Sequence, residues 1–365
     1  MAKIIAFSRQ RRPPSREQQA TGKPHVLAPP AWAGGAHADN PPASGILVSV
    51  VVPTCRRPQL LSHCLASLLL QRADAARFEI IVVDDAPCSS TRIVVSDWAA
   101  VAGPAVTYIA SSGPHGPAAA RNRGWRAARG AIIAFTDDDT VASPDWLRQG
   151  LQAFAADVVA VWGRIDMPAP ARLTDYERDA KNLETAEFVT ANCFCRKQAL
   201  EALDGFDERF RLAWREDADL YFRLLGLAGR IVHAPAAVIT HPIRPASWGV
   251  SLRQQKKIAF DALLYKKHPA LYRQKIRAAP RWDYYLIVAA MLSGIGALAL
   301  RQTMPAALAG LFWLALSARF CAMRIAPAVK TPAHIAEMIV TSALIPPLAV
   351  FWRLVGAIKF RSRCI

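Results

Sequence analysis

Carboxylates are the residues in this chain best able to do chemistry. Asp137, Asp138 and Asp139 follow the apolar run 131–136 in AIIAFTDDDTVASPDW, although the chain carries a net charge of +17. Adjacent like charges repel, more strongly where the surroundings are less polar than water, so the arrangement calls for a positive partner. A hard divalent cation suits it, because such ions take oxygen ligands and keep water or substrate phosphates in their other positions. A solvated turn capping the next helix is the alternative that this motif alone leaves open. Glu216 and Asp217 open a second stretch, WREDADLYFRLLGLAG, whose Leu220, Leu224 and Leu225 are spaced as on a helix. The helix dipole alone favours carboxylates in a first turn, yet one of them could be the general base that takes a proton from a hydroxyl.

Basic and nitrogen ligands complete the candidate set. GPAAARNRGWRAARG places glycine and alanine at a helix start, where backbone N–H groups and the dipole favour phosphate. Arg121 is the phosphate candidate there, while Arg126 and Arg129 read as a solvated face. His233 and His241 flank an apolar run, and a nitrogen ligand close to an acidic metal site is open to one of them. Cys193 and Cys195, one residue apart, do not have a zinc spacing and read as small core residues.

These residues need a scaffold, and the hydrophobic pattern supplies one. Runs at 46–52, 78–83, 105–110, 131–136, 157–162 and 231–240 read as strands, with 188–195 extended. Helical spacing covers 58–71, 91–100, 116–129 and 214–227, and Ser143 with Pro144 predicts a capped helix running to 154. The polar stretch 164–187 reads as an inserted loop or short helices near the site. Alternation of this kind predicts a parallel sheet covered by helices, with ligands at the carboxyl ends of its strands. Both acidic clusters, Asp84–Asp85 and Asp137–Asp139, stand at such ends.

Together these pieces resemble the family 2 glycosyltransferases, inverting enzymes on the GT-A fold, over 46–269. VSVVVPTCRRPQLL resembles the family's opening strand and nucleotide-contacting turn, with Pro53, Thr54 and Arg56; IIVVDDAP resembles its second acidic strand end, with Asp84 and Asp85. GPAAARNRG is similar to the nucleotide-side helix, with Arg121, and FTDDDT to the DXD signature. That likeness implies Asp137 at the nucleotide ribose or metal, Asp138 on the nucleotide-sugar side and Asp139 on the metal. FVTANCFCRKQALEALDGFDERF resembles the acceptor-side segment, which implies an acceptor role for Asn192, and Trp214 and Arg215 stand beside it where small residues are frequent. REDADLYFRLLGLAGR resembles the segment whose Asp, here Asp217, serves as base, with Glu216 next to it. AAVITH ends where many members place a histidine ligand, implying His241 over His233. Arg56 replaces a frequent asparagine. The Gln-x-x-Arg-Trp signature of processive synthases is missing, RQQKK at 253–257 not being equivalent.

The resemblance implies an α/β fold, a GT-A-like mixed, mostly parallel sheet with flanking helices, and the apolar runs beyond it add C-terminal membrane helices. It also implies Mg2+ or Mn2+ as cofactor, a nucleotide-diphosphate-sugar donor, with a UDP-sugar expected, and transfer with inversion. A lipid or lipid-linked acceptor follows from the rest of the chain. Residues 284–300 carry no charge and 304–318 none either, so they read as a hairpin of membrane helices, the second near the lower limit of length. A third apolar run, 338–352, is interrupted by Pro346 and Pro347. Residues 246–281 hold nine Lys or Arg against the single acid Asp261. The positive-inside tendency places this region and the basic C-terminus in the cytoplasm, so the third run should be interfacial or re-entrant.

The expected organisation is therefore a basic, proline-rich disordered tail (1–45), a catalytic domain (46–245), a juxtamembrane segment (246–283), a hairpin (284–319) and a basic loop with an interfacial or re-entrant helix (320–365). The expected location is the inner (cytoplasmic) membrane with the catalytic domain facing the cytoplasm. The hydrophobic runs favour membrane over nucleic acid as the partner of the positive charge. A nucleotidyltransferase with a similar metal site, or a noncatalytic membrane-associated binding protein, remains the alternative reading.

Overall fold

The β-branched runs assemble into one eight-stranded sheet, ordered β3-β2-β1-β4-β7-β6-β8-β5, in a computed structural model that describes residues 45–363. The expected tail, apart from Gly45, lies outside the described residues. The strands are β1 (Val48–Thr54), β2 (Phe78–Asp84), β3 (Ala105–Ala110), β4 (Ile132–Phe135), β5 (Val141–Ala142), β6 (Val158–Asp166), β7 (Cys193–Arg196) and β8 (Arg230–Thr240). Strands β1 to β4 pair in parallel, as do β6 and β8, while β7 runs antiparallel between β4 and β6, and β5 antiparallel to β8. Since β7 reverses direction twice over, β6 and β8 point the same way as β4. The carboxyl ends bearing Thr54, Asp84, Asp137 and His241 therefore meet at one edge.

Both faces of the sheet are covered, which explains why its central strands are almost continuously apolar. On one face pack α1 (Pro58–Leu69), α2 (Ser89–Ala99) and α4 (Trp146–Gln152), through Leu61, Leu65, Val95 and Trp146. On the other pack α3 (Pro117–Ala127), α6 (Lys197–Ala202) and α7 (Glu216–Leu224), through Ala120, Trp125, Leu200 and Leu220. Cys193 and Cys195 are fully buried in this second core. The 164–187 stretch extends β6 to Asp166 and then forms α5 (Asp175–Lys181), started by a capping box from Thr174 and Glu177.

Two local expectations change. The helix after Ser143 begins only at Trp146, with Asp145 at its N-cap and no side-chain cap bond. Ser143 instead lies just beyond β5: its N–H donates to the Val238 carbonyl of β8, 3.0 Å, and its carbonyl accepts from Gln71 Nε2, 2.7 Å. Within 188–195, only Cys193–Arg196 pairs as a strand, because Thr190–Asn192 forms a 3-10 turn.

Beyond β8 the chain forms α8 (Val250–Gln254), a 3-10 turn at Gln255–Ile258, α9 (Ala259–Lys267) and α10 (Pro269–Leu271), which passes into a π turn. Then come α11 (Trp282–Ala299), α12 (Thr303–Ile325) and α13 (Pro332–Phe360), three helices long and apolar enough to cross a membrane. Helices α11 and α12 form a hairpin whose connection carries Arg301. Their outer faces expose Leu286, Leu292, Ile295, Leu308, Leu311 and Phe312.

Pro346 and Pro347 do not break the third run, because α13 continues through both. Prolines deprive a helix of two N–H groups. Here Ile345 and Ala349 are buried against Ile258, Tyr284, Ile287 and Phe320, so tertiary packing outweighs the lost bonds. Both ends of α13 touch the rest of the chain. Near its start Glu337 accepts from the Gly249 N–H, 2.7 Å; near its finish Lys266 donates to the Phe360 carbonyl, 2.9 Å. The helix thus lies along the domain and turns Val340, Leu344, Phe351, Leu354 and Ile358 outward.

Gly356 sets how closely α13 approaches α9, since a Cβ there would stand 2.3 Å from the Ala259 carbonyl oxygen. Backbone cannot yield as a flexible side chain does. Gly356→Ala is expected to destabilise the detergent-solubilised protein by about 1–3 kcal/mol, the usual cost of overpacking. An unchanged thermal melt would show that this contact does not hold the helix.

Candidate active site

The three aspartates after β4 point in three directions. Asp138 turns inward, 2% exposed, and accepts hydrogen bonds from Thr54 Oγ1 at 2.8 Å and Arg57 Nη1 at 2.9 Å. Asp137 accepts from Arg121 Nη2 at 2.7 Å. Asp139 pairs with the Arg244 guanidinium, and its Oδ1 lies 3.7 Å from His241 Nε2. Thr140 fixes the turn by donating from Oγ1 to the Asp137 carbonyl, 2.8 Å. The repulsion anticipated among these carboxylates is met by three separate cations, Arg57, Arg121 and Arg244. Burial pushes the Asp137 carboxyl up, but Arg121 and then His241 hold it below the ordinary range. For Asp138 burial prevails over Arg57, and its carboxyl is raised.

Two of the expected site residues have polar atoms engaged in contacts that brace the fold. Asp138, expected on the nucleotide-sugar side, is committed to tying the β4 turn to β1 and the loop after it. Asn192, expected on the acceptor side, is 1% exposed and braces the sheet: Trp146 Nε1 donates to its Oδ1 at 2.8 Å, and its Nδ2 donates to the carbonyls of Arg164 and Ala237. Amide and carboxylate orientation follows from neighbours that a linear motif does not display.

The other strand ends shape the neighbouring surface. Asp84 is fully buried and accepts from the N–H groups of Ala86 and Cys88 and from the Tyr108 hydroxyl, so it builds the turn after β2. Asp85 Oδ2 accepts from the Gly116 N–H at 2.9 Å, and its Oδ1 accepts no hydrogen bond among the described residues. Gly116, at φ 118, supplies a backbone conformation that side chains disfavour at the start of α3. Thr54 is buried on Asp138, Pro53 lies within β1, and Arg56 is exposed at φ 54 just beyond it.

On the opposite wall, Arg215 adopts a left-handed conformation, φ 76, immediately before α7. Its Nε donates to Asp261 at 2.6 Å, and Trp214 Nε1 donates to the same oxygen at 3.0 Å. This anchor presents Glu216 and Asp217 to a cavity of about 190 Å³ that Asp137 also lines. Arg121 reaches both walls, donating from Nη1 to Glu216 Oε1 at 3.2 Å. Burial, reinforced by Asp217, pushes the Glu216 carboxyl up to about 7 against the pull of Arg121. Burial also raises Asp217, whose Oδ1 accepts from the Ala218 N–H. His233 lies elsewhere, exposed and stacked on Trp162 with ring centroids 3.7 Å apart.

Asp137, Asp139 and His241 each offer a ligand atom, all within 4.8 Å of one another. Two carboxylates and an imidazole fit a divalent ion of the Mg2+ or Mn2+ kind. The buried Asp139 Oδ1, which has no hydrogen-bond partner among the described residues, and the Arg244 cation against the same carboxylate both mark a place for positive charge. Sequence reasoning missed Arg244, Arg57 and Lys257. Arg244 follows His241 by three residues, the one local signal available.

The family described as "Glycosyl transferase family group 2" matches residues 132–354, and "Glycosyl transferase family 2" matches 49–203. Glycosyltransferase AglE of Haloferax volcanii is 25% identical over 221 residues, 58% of this chain and 71% of that protein. Succinoglycan biosynthesis protein ExoO of Rhizobium meliloti is 30% identical over 241 residues, 59% of this chain and 66% of that protein. The pre-mycofactocin glycosyltransferase of Mycobacterium tuberculosis is 29% identical over 217 residues, 54% of this chain and 43% of its own length. The chain thus spans less than two thirds of the last two relatives. Among solved structures, mannosyltransferase PcManGT from Pyrobaculum calidifontis, in complex with GDP-Man and Mn2+, has 20% identity and a TM-score of 0.52, covering 93% of this chain and 90% of that one. That likeness establishes a shared GT-A-like fold.

Mn2+ titrated into the purified protein and followed by loss of its free-ion paramagnetic resonance signal is expected to bind, with Asp139→Asn weakening it by more than about tenfold. Arg244→Ala, by removing the competing cation, should tighten binding when no nucleotide is present. Equal affinity in all three proteins would place the ion elsewhere.

Proposed function

This chain belongs to the family 2 glycosyltransferases, and from that premise we propose that it moves a sugar from a nucleotide-diphosphate-sugar to a hydroxyl of a lipid or lipid-linked acceptor, with inversion and with a divalent ion. One observation carries the reading: Asp137, from the carboxylate motif, and Asp217, the candidate base, line the same cavity, with Arg121 joined to both walls.

The donor side is formed by Thr54, Arg56, Asp85 and the start of α3. Asp137, Asp139 and His241 would hold the ion, which when bound neutralises charge on the diphosphate leaving group. Asp217 takes the proton of the acceptor hydroxyl. Its half-buried setting raises its carboxyl and makes it a stronger base than an exposed carboxylate. Trp214 and Arg215, anchored by Asp261, position the first turn of α7. A UDP-sugar is the first donor candidate, and a GDP-sugar, as held by the solved mannosyltransferase, is the second.

The apolar α11–α12 hairpin supports membrane attachment, with the Arg301 connection on the far side and the catalytic domain in the cytoplasm. In this arrangement α13 is interfacial. Its contacts at both ends with the cytoplasmic part, and its outward apolar face, support that placement. The proposed division is a catalytic domain to residue 245, a juxtamembrane segment to 283, a hairpin to 319 and the interfacial helix beyond.

The test is release of nucleoside diphosphate from a panel of nucleotide-sugars with Mn2+ or Mg2+ and a bacterial membrane lipid extract. Release from one donor, dependent on metal and lipid, is expected, with Asp217→Asn slower by about 10²–10⁴-fold, the usual size of a general-base contribution. Release of pyrophosphate would favour a nucleotidyltransferase, and full activity in Asp217→Asn would remove it as base.

The pH profile tests the carboxylate pair. A carboxyl raised by burial is protonated as pH falls through its elevated value, so activity should drop on the acid side near pH 7, where Glu216 titrates. Glu216→Gln should move that acid limb to lower pH, leaving Asp217 to define it. A limb that stays in place would show that Glu216 is not the titrating group.

A further inference from the structure

The cavity beneath Asp217 is lined by four cations as well as four carboxylates, and three of the cations have carboxylate partners. Arg121 serves Asp137 and Glu216, Arg215 serves Asp261, and Lys275 donates to Glu187 at 2.8 Å. Lys257 differs. Among the described residues its ammonium makes no hydrogen bond or ion pair, and its recorded contact is with the Trp214 ring, 5.8 Å from the centroid. Burial holds its amine below the ordinary lysine range, although Glu216 pulls the other way. Glu216 and Asp179 act on it only through space, and a half-buried cation that no carboxylate hydrogen-bonds leaves part of its desolvation uncompensated, which an anionic ligand would repair.

Position indicates where that anion comes from. Lys257 stands on the 3-10 turn Gln255–Ile258, between α8 and α9 and beyond the last strand of the sheet. The next residue, Ile258, is buried among Tyr284 and Ile287 of α11, Phe320 of α12, and Ile345 and Ala349 of α13. The amine therefore sits at the seam between the cavity and the helices that carry the apolar surface. Lys275, one residue before the end of the π turn, faces the same cavity from the juxtamembrane segment.

We propose that Lys257, with Lys275 beside it, forms an anion subsite at the membrane-facing end of the cavity, which takes the phosphate of a lipid-linked acceptor. The assignment rests on the lipid-directed transfer proposed above and names the headgroup chemistry of the acceptor. The lipid chain would extend along the exposed apolar faces of α11 and α13, at Leu286, Leu344 and Phe351, and the phosphate would hold the acceptor hydroxyl within reach of Asp217.

The experiment is calorimetric titration of the full chain in neutral maltoside micelles, with Mn2+ and the donor's nucleoside diphosphate at saturation. Dodecyl phosphate is the probe; dodecanol and inorganic phosphate are its controls. Dodecyl phosphate should bind at least about tenfold more tightly than either control, in keeping with a charge-assisted hydrogen bond. Lys257→Met should weaken it by about tenfold or more, and Lys257→Arg should restore it to within about threefold. Nucleoside diphosphate affinity, titrated separately, should be the same in all three proteins, which also reports that the variants fold. Equal binding of dodecanol, or an unchanged Lys257→Met, would overturn the subsite. Inorganic phosphate binding as tightly as dodecyl phosphate would overturn its lipid source. So would a Lys257→Met defect confined to the nucleoside diphosphate, because the anion would then be the donor's. Failure of wild-type protein to bind any nucleoside diphosphate would sink the transferase reading by itself, while the dodecyl phosphate titration would still decide the subsite.

Discussion

A single buried guanidinium holds the two halves of this site together. Arg121 is 3% exposed and donates to Asp137, 16 residues away in sequence, and to Glu216, 95 residues away. Withdrawing a cation and two carboxylates from water costs several kcal/mol per ion, and only close, hydrogen-bonded geometry offsets it. Once such a cluster is formed, loss of any partner leaves a buried charge uncompensated, at about 3–5 kcal/mol. The β4 turn, helix α3 and the first turn of α7 are consequently fixed relative to one another. Arg121 Nε and Glu216 Oε2 keep unused hydrogen-bonding capacity among the described residues, so the cluster is not closed to a ligand.

The same logic joins the catalytic domain to the apolar C-terminal helices. Asp261 on α9 accepts from Trp214 and Arg215 and lies 3.6 Å from Arg353 on α13. Asp175 on α5 accepts from Arg324 near the end of α12, whose Nη1 also donates to Thr341 and Ser342 of α13. Polar groups buried at such a junction must be satisfied within the protein, so the helices dock in one arrangement. The wall of the cavity that holds Asp217 is thereby built partly from the segment that leads into the apolar C-terminal helices.

Much of the fold was legible because its signals are local. The runs at β1, β2 and β3 are β-branched and apolar over the length of a strand, and the helices between them carry apolar residues at helical spacing. Carboxylates at strand ends, a glycine before α3 and paired acids opening α7 were visible for the same reason, as was the apolar hairpin. Misreadings fell where a distant partner outweighed the local pattern. Ser143 was held beyond β5 by bonds to Val238 and Gln71, and α13 ran on through two prolines under the packing of α9, α11 and α12.

What the sequence by itself determined is the inventory: an alternating α/β sheet, carboxylates at its strand ends, a basic collar and apolar helices long enough for a bilayer. These follow from periodicity and composition, which act over a few residues. Tertiary structure alone decided direction and partnership. It turned Asp138 and Asn192 into the scaffold, set Asp137 and Asp139 toward His241, gave Arg121 to two carboxylates and left Lys257 with none. Side-chain orientation in a packed interior depends on desolvation and on hydrogen-bonding groups that arrive from far along the chain, and neither is written in the spacing of neighbouring residues.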